Sequence, residues 1–150
     1  MKLRWAALTV VLALSALMPR GASAQTSQPP SGQRRSGSVG QNYPNPFNPT
    51  TRLPFTVGDT AQCDGSRHRV SLRIYNLLAQ VVAIPVIEGA SSTTGGGEPI
   101  ENIELECGRY VAFWNGKYLS TSRDAASGVY MYRLEVDGRT AAVGKMFYGK

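Results

Sequence analysis

Gly128-Val129-Tyr130-Met131-Tyr132-Arg133-Leu134-Glu135-Val136-Asp137-Gly138 places Tyr130, Tyr132, Leu134 and Val136 on one side of an extended chain. Arg133 and Glu135 fall on the other side. Side chains in a strand point alternately to opposite faces, so this period of two describes a half-buried β-strand. Asp137-Gly138 is a residue pair suited to a tight hairpin turn. Ala141, Val143 and Lys145-Met146-Phe147-Tyr148 follow as the returning, antiparallel strand.

Upstream, the same pattern recurs. Tyr110, Ala112 and Trp114 alternate with Val111 and Phe113 and stop at the turn pair Asn115-Gly116. Val70, Leu72 and Ile74 alternate with Ser71, Arg73 and Tyr75, and Arg52-Leu53-Pro54-Phe55-Thr56-Val57 stops at Gly58-Asp59. Val81 to Ile87 is rich in β-branched residues but contains Pro85, which lacks an N–H and so suits a sheet edge. Ile100, Ile103 and Leu105 make a weaker strand among glutamates. About seven short strands separated by turn signals predict an all-β, immunoglobulin-like antiparallel sandwich over residues 41–150.

The chain is 150 residues long, and its start differs in character from the rest. Lys2 and Arg4 precede an apolar run from Trp5 to Met18, then Pro19 and Gly21, then Ala22-Ser23-Ala24. That order is a secretory signal, with cleavage expected between Ala24 and Gln25. The apolar run is shorter than the roughly 18–20 residues that cross a bilayer, and no later segment is long enough, so no integral membrane segment is expected after signal removal. Lys2, Arg4 and Arg20 leave with the signal, so 13 of the 16 basic residues remain against 10 acidic ones. They are scattered, apart from Arg34-Arg35 and Arg67-His68-Arg69, which argues for no nucleic-acid partner. Residues 25–40 are mostly Gln, Ser, Pro, Gly and Arg with one apolar residue, Val39, and read as a flexible linker.

Cys63 and Cys107 are the only cysteines. In an exported chain an even count favours a disulfide. With His68, the single histidine, they leave a tetrahedral metal one ligand short, and no CxxC or HxxxH spacing is present, so neither metal nor other cofactor is expected. His68 lies between two arginines and has no evident carboxylate or serine partner in sequence. Glu104 and Glu106 share one strand face and read as a solvated acidic edge. Trp114, Tyr110, Tyr130 and Tyr132 read as core before any sugar-stacking surface. Gly95-Gly96-Gly97 lacks the context of a phosphate loop and reads as a hairpin tip. No catalytic constellation emerges, and the chain is expected not to be an enzyme.

Asn42-Tyr43-Pro44-Asn45-Pro46-Phe47-Asn48-Pro49-Thr50-Thr51 is the most distinctive stretch. Its prolines remove backbone donors and extend the residues before them, so it is a rigid strap leading into the first long strand. Asparagine side chains can take over local backbone hydrogen bonds, and Tyr43 and Phe47 can anchor the strap on a core. This stretch resembles the opening motif of the type A C-terminal sorting domain of the type IX secretion system. The flagellar hook-capping protein carries a related immunoglobulin-like domain. The resemblance continues at Leu72 to Val82, Trp114-Asn115-Gly116, Ala126 to Leu134 and Gly144-Lys145-Met146. Ala79 stands where the family's turn has glycine, at a position suited to positive φ. The segments Asp59–Arg69 and Glu88–Gly108 look longer than the family's, and each holds one cysteine. The resemblance implies an address label, read by the outer-membrane secretion machinery and a sortase that attaches cargo at the cell surface. Asn42, Tyr43, Pro44, Asn45, Pro46, Phe47, Asn48, Pro49, Gly128, Tyr130, Lys145 and Lys150 carry the motif. The localisation it implies is periplasm in transit, then cell surface or medium. The alternative is a small exported sandwich that binds a glycan or protein and is not sorted.

Overall fold

The computed structural model describes residues 36–89, 97–119 and 121–150. The expected signal peptide with its Ala24–Gln25 junction, Arg34-Arg35 and most of the Gly95–Gly97 tip lie outside the described residues.

Among the described residues there is no helix, and nine strands form two antiparallel sheets. The strands are β1 (Gly37–Val39), β2 (Thr51–Val57), β3 (Arg67–Tyr75), β4 (Val81–Ala83), β5 (Val86–Glu88), β6 (Ile103–Glu106), β7 (Gly108–Trp114), β8 (Gly128–Val136) and β9 (Arg139–Tyr148). One sheet runs β1-β2-β7-β5; the other runs β4-β3-β8-β9, with β6 also pairing on β3. Leu53, Phe55, Ala112 and Trp114 from the first sheet share one buried cluster with Leu72, Ile74, Tyr132 and Leu134 from the second. This is consistent with a β-sandwich, and the strand count exceeds the seven expected because two short strands lie where a linker and a single strand were read.

The first of these corrects the linker boundary. Gly37–Val39 pairs with Phe55–Val57, and Ser38 bonds Thr56 through both its N–H and its hydroxyl, so the fold begins before residue 41. The second comes from Pro85. Val81–Ala83 pairs with β3 in one sheet, while Val86–Glu88 pairs with β7 in the other. A residue without an N–H interrupts the ladder where the chain changes sheets, and both pieces are edge strands, as proline favours.

The β8–β9 hairpin forms as its sequence predicts. Asp137 and Gly138 take φ of 52° and 74°, the left-handed pair that a two-residue turn of this hand requires. A bulge between Leu134 and Glu135 leaves Ala141 as an extra residue on β9. Alternation is reset beyond it, so Met146 and Tyr148 are buried while Val143 and Phe147 face solvent. Cys63 and Cys107 form the expected disulfide, with Cα atoms 5.6 Å apart. It closes a loop of 44 residues, worth about 4 kcal/mol in the chain-entropy account.

Candidate functional site

The strap owes its shape to Asn42. Its side chain is buried and donates to the Pro44 carbonyl and to Thr51 Oγ1, both at 3.0 Å, while the Thr51 hydroxyl donates to the same carbonyl at 3.1 Å. One asparagine and one threonine thus satisfy a turn whose prolines cannot. Tyr43 and Arg52 exchange both backbone hydrogen bonds at 2.9 Å, pinning the strap's first half to the start of β2.

The second half of the strap seats on the C-terminus. Phe47 N–H donates to the Phe147 carbonyl at 3.0 Å, and Gly149 N–H donates back to the Phe47 carbonyl at 3.1 Å. Phe147 N–H donates to Asn45 Oδ1 at 3.0 Å. The Phe47 ring is 1% exposed, stacks on Tyr148 with centroids 4.7 Å apart and tilts against Trp114 at 5.3 Å. Trp114 also meets the Tyr130 ring edge-on at 5.4 Å. Gly116, at φ 74°, lies so close to the Pro49 carbonyl that a methyl group there would overlap it. Asn42–Pro49, Trp114–Gly116, Gly128–Tyr130 and the last strand are far apart in the chain. They meet at one end of the fold.

The two terminal lysines differ. Lys150 is tethered: its N–H donates to Ser127 Oγ at 3.2 Å and its ammonium reaches Asp124 Oδ2 at 3.3 Å. Hydrogen bonds from Lys117 first, then Lys150, hold the Asp124 carboxyl below the usual carboxylate range. Lys145 lies over the half-exposed Phe147 ring, 5.3 Å from its centroid. Lys145, Phe147 and Val143 all face solvent on the outer side of β9. The sequence pointed to the terminal stretch containing Lys145 and Lys150 but not to Asp124, which tethers Lys150. Only the register of β9 shows that Phe147 is presented and Tyr148 is buried.

The opposite end of the fold corrects the reading of His68. His68 Nδ1 is 2.7 Å from Asp137 Oδ2, and Ser66 Oγ is 3.2 Å from His68 Nε2. The partners absent from the neighbouring sequence are supplied by the β8–β9 turn, 69 residues away, and by a residue two positions back. Asp137 is itself oriented by the Arg69 N–H, which donates to Oδ1 at 2.9 Å. The hydrogen bond to His68, followed by that from Arg69, keeps the Asp137 carboxyl below its ordinary range. Glu104 and Glu106 are exposed on β6, where Glu106 lies 3.6 Å from Arg67. Trp114, Tyr130 and Tyr132 are core residues and Tyr110 is half-buried, as expected.

No family model and no curated protein matches the chain. The chain is similar to a solved structure of Pseudomonas fluorescens alkylpurine DNA glycosylase AlkC bound to DNA containing an abasic site analog, at 13% identity and a TM-score of 0.42. That match covers 77% of this chain and spans 31% of the other. This neighbour is an enzyme bound to DNA, in contrast to the expectations of no enzymatic activity and no nucleic-acid partner. At that TM-score the likeness transfers no activity and no ligand to this chain.

Proposed function

We propose that this chain is an exported, immunoglobulin-like sorting and surface-anchoring module of the type IX secretion system. In this reading the outer-membrane machinery recognises the folded strap-and-terminus end, and a sortase acts on the sorted protein. The observation that carries the proposal is the seating of Asn45-Pro46-Phe47 on Phe147-Tyr148-Gly149. A motif shared from strap to C-terminus is most simply explained if the two ends make one recognition surface. Edge strands attract partners through their free backbone groups. The strap occupies the last residues of β9, leaving Lys145 and Phe147 presented beside it.

The test is secretion in a type IX-competent host. The full chain reaches the cell surface or medium, whereas deletion of Lys145–Lys150 leaves it in the periplasm. Replacing Lys145 and Lys150 together leaves the fold intact, since neither fills the core, and blocks sorting if their charge is read. Surface appearance of the truncated chain would refute the proposal.

A second reading has its own support. The outer side of the first sheet carries an open groove of about 590 Å³ bordered by Pro54, Glu88, Arg109 and Val111. Such a groove suits a small exported binding domain. In that case the chain stays periplasmic and uncut at its C-terminus in the same host.

A further inference from the structure

The end of the fold remote from the strap brings together a nucleophile, a base and an orienting carboxylate. We propose that Ser66, His68 and Asp137 form an acyl-transfer site acting on small, unhindered carboxylic esters presented from solvent. The geometry is that of a hydroxyl activated by an imidazole whose far nitrogen is held by a carboxylate. Ser66 Oγ lies 3.2 Å from Nε2, and Asp137 Oδ2 lies 2.7 Å from Nδ1. Both distances fall within reach of proton transfer in the resting protein.

The constellation is held from several sides. Ser66 N–H donates to Asp64 Oδ1 at 2.9 Å, fixing the loop that delivers the hydroxyl. Asp137 is fixed by the Arg69 N–H and by its own N–H, which donates to the Arg69 carbonyl at 2.8 Å. The imidazole packs beside Gly58 and Cys107: a methyl group at Gly58, whose φ is 69°, would sit 2.8 Å from Cys107 Cβ and 3.6 Å from His68 Nε2. This glycine therefore borders the ring at Nε2. Ser66 is exposed and the His68 side chain retains 23% of its exposure, so an ester can approach from solvent. Residues two apart in a strand direct their N–H groups to the same side. The alternation that aims Arg69 N–H at the hairpin thus aims Arg67 N–H to the same side, beyond the turn and next to Ser66.

The steps balance with water as the only co-reactant. Ser66 Oγ attacks the ester carbonyl carbon while its proton passes to His68 Nε2. The tetrahedral adduct collapses, the C–O bond to the alcohol breaks, and the alkoxide takes the proton from Nε2. Water then attacks the acyl-serine, giving its proton to Nε2. Collapse of the second adduct returns that proton to Ser66 Oγ and releases the acid. Asp137 keeps its negative charge throughout and stabilises the imidazolium. Ser66 and His68 lie in the Asp59–Arg69 segment, which looks longer than that of sorting domains, and Asp137 lies in the β8–β9 turn, so the site stands independently of the sorting proposal.

The experiment uses the purified disulfide-bonded protein with p-nitrophenyl acetate and, separately, a fluorophosphonate probe. We expect a burst of nitrophenol matching the protein concentration and a single phosphonyl adduct mapped by peptide mass spectrometry to Ser66. Ser66→Ala abolishes both. His68→Gln slows acylation by about 100-fold or more, the usual contribution of a positioned base. Asp137→Asn provides a variant that keeps the turn, since asparagine tolerates positive φ and its Oδ1 still accepts from Arg69. It slows acylation without loss of thermal stability at neutral pH comparable to a core mutation. Modification of Ser66 no faster than that of Ser71 or Ser127, or a Ser66 rate unchanged in both His68→Gln and Asp137→Asn, overturns the proposal.

Discussion

Phe47→Ala tests the joint between strap and C-terminus most directly. The ring is 1% exposed and packs on Tyr148 and Trp114, so truncation removes a fully buried aromatic side chain. Such changes cost about 3–5 kcal/mol, depending on how far the site collapses. A strap can also detach instead of leaving a void, which caps the loss at the free energy that holds it. The ring's burial and the three hydrogen bonds to Phe147 and Gly149 are what would then be lost, so we expect the lower end, about 3 kcal/mol. With a urea slope of about 2 kcal/mol/M for a domain of this size, the midpoint falls by about 1.5 M. Trp114 is the only tryptophan after Trp5, and it touches Phe47, so its emission reports the event directly. The variant's native spectrum shifts to the red as water reaches the indole, and the Phe147 and Gly149 amides lose protection from hydrogen exchange. A midpoint loss below about 0.5 M with an unchanged Trp114 spectrum would mean that the strap rests on the terminus without holding it.

Other expectations follow from the same packing. Ala79 sits at φ 58° in the turn between β3 and β4, so Ala79→Gly relieves left-handed strain. It raises stability by about 0.5 kcal/mol after glycine's entropy is counted, read as a small rise in Tm. Tyr132→Phe deletes a hydrogen bond of 2.6 Å to the Gly40 carbonyl and costs about 1 kcal/mol. Tyr148→Phe costs nothing or stabilises, because the Tyr148 hydroxyl is buried and finds no partner among the described residues; paired denaturation curves of the two variants check the contrast. Asp137 has its pKa depressed in the folded state, so its contribution is present above the ordinary aspartate value near about 4 and is lost as pH falls through the lower folded value. Asp137→Asn should therefore flatten part of the loss of Tm below the ordinary aspartate value near about 4, leaving the parts due to Asp64 and Asp124, whose carboxyls shift the same way.

Local patterning along the chain sets the all-β character and the faces of the long strands. In Gly128–Val136 the alternation of Tyr130, Tyr132, Leu134 and Val136 is a local property, and all four are buried. The Asp137-Gly138 turn was legible for the same reason, since the residue pair encodes its own backbone angles. Ala79 could be flagged only through the family resemblance, which has glycine at that turn position; its φ is 58°. The disulfide between Cys63 and Cys107 followed from there being only two cysteines in a chain read as exported. The features that no local pattern encodes are long-range. The inclusion of Gly37–Val39 in the fold, which was expected to begin after residue 40, depends on a three-residue strand whose partner is β2, and three residues carry no periodicity of their own. The bulge at Leu134 that turns Phe147 outward and Tyr148 inward arises from pairing between strands. The contact of Phe47 with Tyr148 spans 101 positions, and no spacing rule connects them. His68 looked solitary because its carboxylate lies 69 residues away, at a turn that only the β3–β8 register brings to it. Strand faces are set by neighbours in sequence; sites are set by which strand ends the sheet register brings together.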